Sequence, residues 1–236
     1  MIILDGIGKS FNGKWAVRGL SLTIERGEIF GILGPNGAGK TTAIRMMTGQ
    51  IMPTEGRILI GGHDIVKEPL MAKSIIGYVP DRAFFYEKLT ARELLLFIAS
   101  LYGVEKQIAH SRMNELVEQF GIKDYIDELI EGYSQGMRQR LLFVSAMLHN
   151  PSVFVIDEPV VGLDPMGVIL VKNLIKDMSA RGITVFLATH ILHIAGELCH
   201  RVGLLNKGLL TEVKHRDEFL SRDAGLEALF LERIKP

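Results

Sequence analysis

The chain has 236 residues, and at roughly 150 residues per domain that length allows one or two domains. Lysine plus arginine (27) balances aspartate plus glutamate (27), while hydrophobic residues make up 47% and charged residues 23%. These values exclude a disordered chain, a collagenous chain and a small disulfide scaffold, and they give no global charge that would call for nucleic acid.

In chain order, Met1 to Lys9 carries no basic stretch ahead of a long apolar run, so no signal peptide is expected. Leu20 to Ile24 alternates apolar and polar residues as a half-buried strand does. A turn at Glu25–Glu28 follows, then the apolar run Ile29 to Leu33, a glycine-rich loop, and a helix opening around Ala43. Arg57–Ile60, Ile75–Val79, Val153–Ile156 and Thr184–Ala188 read as further strands. The later ones are continuously apolar, which suits central strands covered on both faces.

The stretch from about 84 to 150 shows no strand pattern. Thr90 with Glu93 makes a capping box, continued by Leu94, Phe97, Ile98 and Leu101 at helical spacing. Ile108, Met113, Leu116, Val117 and Phe120 form a second periodic run that Gly121 ends. Glu218 to Ile234 reads as one or two short amphipathic helices, a small appendage over about 215–236. The longest uncharged run, Leu141 to Ile156, holds His149, Asn150 and Pro151 in its middle. It falls short of the roughly 18 apolar residues that span a bilayer, so no crossing is expected. Strands alternating with helices predict an α/β fold with a mainly parallel sheet, an N-terminal antiparallel β region and a helical insert.

Gly34, Pro35, Asn36, Gly37, Ala38, Gly39, Lys40, Thr41 and Thr42 fit the pattern G-x-x-x-x-G-K-[ST] between a strand and a helix. Glycines let successive backbone N–H groups wrap a phosphate chain, and the following helix adds partial positive charge. Lys40 is placed to reach the β- and γ-phosphates and the Thr41 hydroxyl to ligate Mg²⁺. This is a P-loop for a nucleoside triphosphate.

Val153–Ile156 ends in Asp157 and Glu158. In parallel sheets ligands gather at the carboxyl ends of strands, so both acids are expected to face the phosphate loop. Asp157 suits the Mg²⁺ shell, and Glu158 suits the polarising of an attacking water. His190 ends the strand begun at Thr184 and is expected at the γ-phosphate. His63, His110, His149, His193, His200 and His215 are read as structural. His193, Cys199 and His200 lack the spacing and the fourth ligand of a zinc site. Cys199 is the single cysteine, so no internal disulfide forms.

Tyr133, Ser134, Gln135, Gly136, Met137 and the arginines Arg138 and Arg140 decide among the many P-loop enzymes. With this segment the chain resembles the ATP-binding cassette (ABC) ATPase family over nearly all its length. The family's signature Leu-Ser-Gly-Gly-Gln appears here as Tyr-Ser-Gln-Gly-Met. The resemblance implies a P-loop NTPase core, ATP with Mg²⁺, and a single nucleotide-binding domain whose helical subdomain is about 84–150. It implies a head-to-tail pair of ATP-binding subunits, identical or closely homologous, in which Ser134, Gln135 and Gly136 of one chain meet the γ-phosphate held by the other. It also implies that Phe11 stacks on adenine, that Gly162, Leu163 and Asp164 form the loop at the dimer seam, and that His190 is the switch histidine.

Two kinds of departure stand out. Gln135 and Met137 replace a signature glycine and glutamine, changes that leave backbone donors in place. Asp81, after Gly77, Tyr78, Val79 and Pro80, stands where the family commonly has a glutamine that touches Mg²⁺ and the attacking water. An ionised carboxylate accepts hydrogen bonds but does not donate them. The resemblance therefore predicts an Asp81 that keeps a metal contact with altered coupling to the membrane partner.

By the same resemblance the chain is an ATPase powering a separate transmembrane permease, peripheral at the cytoplasmic face of the membrane. Leu89 to Leu94, Tyr133 to Leu141 and Glu158 to Pro165 are similar to the exporter-type branch. An importer ATPase and a soluble cassette acting without a permease are the alternatives.

Overall fold

A computed structural model describes residues 1–82 and 84–220. Two sheets make its frame. The first is antiparallel in the order β2-β1-β4-β5, from β1 (Ile2–Phe11), β2 (Lys14–Ile24), β4 (Glu55–Ile60) and β5 (His63–Asp64). The second runs β10-β9-β3-β8-β7-β6, from β3 (Ile29–Leu33), β6 (Ile76–Val79), β7 (Val153–Asp157), β8 (Thr184–Thr189), β9 (Arg201–Asn206) and β10 (Leu209–His215). Every neighbouring pair from β9 to β6 is parallel, and β10 closes the edge antiparallel.

Strands β3, β7 and β8 are buried along their whole length. Their side chains alternate between two cores, as the period of two requires. Phe30, Ile32, Val153, Val155, Phe186 and Ala188 face the core shared with the antiparallel sheet and α1 (Lys40–Met47). There Phe30 and Phe186 stack at 6.0 Å between ring centroids. Ile29, Leu33, Phe154, Ile156, Val185 and Leu187 face the opposite core, built with the helices that follow residue 90. A second ladder of rings, Phe120–Phe143 at 5.9 Å and Phe143–Phe154 at 6.4 Å, pins two of those helices to β7.

The helices follow the periodicity. After α2 (Pro69–Ser74), α3 (Ala91–Leu101) opens on the expected capping box: the Thr90 hydroxyl accepts the Glu93 N–H and the Thr90 N–H donates to the Glu93 carboxylate. Helix α4 (Lys106–Gln119) ends at Phe120 with Gly121 in the left-handed region at φ +63°. Helices α5 (Gln135–Met147), α6 (Pro165–Ala180), α7 (Leu192–Leu198) and α8 (Arg216–Leu220) complete the described chain. Of the predicted C-terminal helices only α8 falls among the described residues, and positions 221–236 lie outside them. No helix among the described residues is long and apolar enough to cross a membrane.

Four strands went unread in the sequence, β1, the two-residue β5, β9 and β10. In β1 the pairing with β2 slips at Leu4/Ile7, Ile7/Lys9 and Lys9/Ser10, so bulges break the alternation that marks a strand. Strands β9 and β10 form a hairpin whose two loop residues, Lys207 and Gly208, both take positive φ (48° and 81°). That geometry is the type I′ pattern, with lysine in place of the more telling Asn or Asp.

Candidate nucleotide site

The loop Gly34–Gly39 leaves β3 at its carboxyl end and feeds α1. Gly39 takes the N-cap position of α1 at φ +109°, and a Cβ there would stand 2.5 Å from the Ala16 carbonyl oxygen. Only glycine fits. Because glycine offers no side chain, the first-turn N–H groups of α1 have no side-chain cap, which leaves them for an external anion. Gly34 is needed for another reason: a Cβ on it would lie 2.3 Å from the Leu205 carbonyl oxygen of β9.

An open pocket of about 400 Å³ lies on this loop. Asn36, Gly37, Ala38, Gly39, Lys40, Thr41 and Thr42 form one wall. Asp81, which follows β6, Asp157, which ends β7, Glu158, just after it, and His190, just after β8, line the pocket as well. Strands β3, β8, β7 and β6 are parallel neighbours, so their carboxyl ends share one edge of the sheet. Ala16 and Val161 line the pocket too, and no sequence pattern marked either.

Within the pocket, the Thr41 hydroxyl donates to Asp157 Oδ2 at 3.0 Å. Burial pushes the Asp157 carboxyl above its usual range; the Thr41 hydrogen bond opposes that shift, and the neighbouring charges of Glu158 and Asp81 add to it. Lys40 is buried, with its ammonium donating to the Gly34 carbonyl at 2.6 Å and to that of Pro35 at 3.2 Å. Gly34 and Pro35 thus hold the lysine and do not themselves line the pocket. Burial lowers the Lys40 ammonium below the ordinary lysine range, against the pull of the Glu158 and Asp157 carboxylates.

Glu158 turns out of β7 in the left-handed region at φ +56°, an uncommon conformation for a residue with a side chain. Its N–H donates to the Ala188 carbonyl at 2.9 Å, which fixes the turn against β8. Its carboxylate is held at both oxygens: the Thr189 hydroxyl donates to Oε2 at 2.9 Å, and His190 Nδ1 meets Oε1 at 2.8 Å. Thr189 is a partner the sequence reading missed, although it directly precedes His190 at the strand end.

Oxygen donors of this kind suit a hard divalent cation. The Thr41 hydroxyl and the Asp157 carboxylate already converge, with Asp81 in the same pocket. No group of three or more histidine, cysteine or acidic side chains that could hold a metal occurs among the described residues. Mg²⁺ is usually held by one or two carboxylates together with substrate phosphates, and the donors here match that pattern.

The remaining predicted residues stand apart from the pocket. Phe11, at the tip of the β1–β2 hairpin, is 48% exposed with the Lys9 ammonium 5.4 Å from its ring centre. Ser134 caps α5 by accepting the Met137 N–H. Gln135 and Gly136 lie against Gly162, where a Cβ would come within 2.7 Å of the Gln135 amide nitrogen. Asp164 caps α6 through the Gly167 N–H at 3.1 Å and pairs with Arg140 at 3.1 Å. That pairing is the main reason its carboxyl sits below the usual range.

Known proteins resemble the chain in sequence and in fold. The family model for ABC transporters matches residues 17–161. The chain is 34% identical to the ABC transporter ATP-binding protein NatA of Bacillus subtilis (strain 168), over 99% of this chain and 98% of that one. It is 35% identical to the linearmycin resistance ATP-binding protein LnrL of the same organism, over 95% of this chain and 72% of that one. Among solved structures, an ATP binding subunit of an ABC transporter superposes with a TM-score of 0.93 at 28% identity, covering 98% of both chains.

Proposed function

The chain belongs to the ABC transporter family of ATP-binding ATPases, and on that premise we propose that it is the motor of an exporter, closing as a pair over two ATP molecules. The observation that carries the pairing is a separation within one chain. Glu158, Asp157 and His190 line the pocket of the phosphate loop, whereas Ser134, Gln135 and Gly136 lie away from it against Gly162. A signature segment that does not reach its own pocket is free to complete the pocket of a second subunit, as a helix N-terminus suited to anions.

In this reading Phe11 stacks on the adenine, and the loop amides and Lys40 hold the phosphates. Thr41, Asp157 and Asp81 would hold Mg²⁺, which would supply neutralisation of the phosphate charge. Glu158 takes the proton of the attacking water. Each of its oxygens accepts one bond from Thr189 or His190 and retains a lone pair for that task. Asp164 belongs to the seam between the two subunits. The helical subdomain over about 84–150 passes closure to a separate transmembrane permease, so the chain sits peripherally at the cytoplasmic face. LnrL is named as a resistance protein, which supports export as the direction.

The testing variant is Glu158→Gln. It removes the base and keeps an isosteric hydrogen-bonding group. ATP binding persists, turnover falls by about 10²–10⁴-fold, and an ATP-trapped dimer accumulates. A variant that hydrolyses ATP at the wild-type rate removes Glu158 as the base.

A further inference from the structure

The first turns of α5 are held from two sides by segments that begin in the pocket. On one side Arg138 donates to Glu87 at 2.7 Å and to the carbonyls of Tyr133 (3.2 Å) and Glu131 (3.3 Å). Glu87 lies six positions beyond Asp81. On the other side Arg140 donates to Asp164 at 3.1 Å and to the Phe120 carbonyl at 3.3 Å. Asp164 lies six positions beyond Glu158.

Between its ends the segment from Glu158 to Asp164 is held by packing of Val160 and Leu163 on the core and only weakly by hydrogen bonds. Its turn bonds, Val161 N–H to the Glu158 carbonyl at 3.5 Å and Leu163 N–H to the Val160 carbonyl at 3.4 Å, are at the outer limit of hydrogen-bond length. Its firm polar attachments are the Glu158 turn onto β8 at one end and, at the other, Asp164, which is bound at once to the Gly167 N–H and to Arg140. Gln135 closes over Gly162 between these ends.

We infer that Arg140 is a positioning residue. It fixes the signature segment of α5 relative to the strap that starts at Glu158, and so sets the pose which that segment offers to the partner's nucleotide. This deepens the paired-subunit reading above and rests on it. The Arg140–Asp164 pair is largely exposed on the aspartate side (56%), and such pairs add little to stability. Its contribution therefore falls on geometry.

The test compares full-length chains carrying Glu158→Gln alone, with Arg140→Gln, and with Arg140→Lys. Each is titrated with Mg-ATP, and dimers are followed by sedimentation velocity. Arg140→Gln raises the ATP concentration needed for half-dimerisation by about tenfold, in the range of ordinary coupling between sites. Binding of a fluorescent ATP analogue to the monomer and the melting temperature stay unchanged. Arg140→Lys keeps a cation for Asp164 and restores most of the dimerisation. Equal dimerisation with and without Arg140→Gln overturns the inference alone. So does a loss that appears together with weaker monomer binding or a lower melting temperature, because that marks a merely structural role. A Glu158→Gln chain that remains monomeric at saturating ATP overturns the paired reading and this inference with it.

Discussion

His190 Nδ1 lies 2.8 Å from Glu158 Oε1, although 32 residues separate the two in sequence. They meet because β7 and β8 are parallel neighbours in register, Asp157 opposite Ala188, so their carboxyl ends finish side by side. The left-handed backbone at Glu158 then turns its side chain along the strand ends. The carboxylate is oriented before any substrate arrives, and for the proposed base such orientation is part of what lowers a barrier.

That orientation has a second source in Thr189, whose hydroxyl donates to Glu158 Oε2 and accepts the Ile191 N–H at 3.1 Å. Thr189→Val keeps the shape and deletes both bonds. Steady-state kinetics are expected to show kcat down by about tenfold, a fraction of the 10²–10⁴ a general base contributes, with KM for ATP unchanged. A matching rise in KM would place Thr189 in binding instead.

Lys40 is a buried cation whose hydrogen bonds within the chain go to two backbone carbonyls. Burial is the largest influence on its pKa and opposes the charge, so the folded protein gains nothing from keeping it. Lys40→Met is expected to leave the melting temperature the same or higher. ATP affinity, measured by calorimetry, drops about 100-fold, the equivalent of one strong charge-assisted hydrogen bond. A melting temperature that falls with ATP affinity intact would reverse this assignment of the lysine to phosphate.

At Gly39 the backbone itself is at stake. Alanine would have to adopt φ +109° with its Cβ 2.5 Å from the Ala16 carbonyl oxygen, so the loop must move. Urea unfolding of Gly39→Ala should show a loss of about 1–3 kcal/mol, typical of a side chain forced into a sparsely populated backbone region. Nucleotide binding fails along with it. Unaltered unfolding would mean that the loop reshapes without strain.

His149 supplies a pH dependence away from the nucleotide. Its ring stacks on Tyr102 at 3.8 Å, and Nε2 lies 3.0 Å from the Ile76 carbonyl. Burial lowers its pKa to about 4, with the Ile76 bond opposing and the Arg112 charge assisting. The unfolded chain, with histidine near 6.5, therefore binds a proton between pH 6.5 and 4 that the folded chain refuses. Its contribution to stability is complete above pH 6.5 and is lost as the pH falls toward 4. His149→Phe keeps the stack, so its melting temperature should decline less steeply than wild type from pH 7 to 5. Parallel slopes would show that other groups carry the acid sensitivity.

Much of the site could be read from local pattern. The phosphate loop is contiguous, its glycines answer local backbone needs, and the acids follow directly on an apolar strand. Lys40, Thr41, Asp157, Glu158 and His190 all line one pocket. Ala16 and Val161 carried no signal because they contribute through position alone. Strand β1 escaped notice because its bulges break the period of two, and β10 because its pairing depends on a hairpin turn of unhelpful composition.

The sequence by itself determined which groups are proposed to do the chemistry and on which kinds of element they sit, because strand period, helix caps and glycine-dependent turns are local properties. Tertiary structure alone decided what those groups touch. The register of β7 with β8 brings His190 to Glu158, and the path of the segment after Glu158 past the start of α5 brings Asp164 to Arg140, 24 residues away. Such contacts depend on how layers stack through their buried faces, a property of the whole chain that no window along it contains.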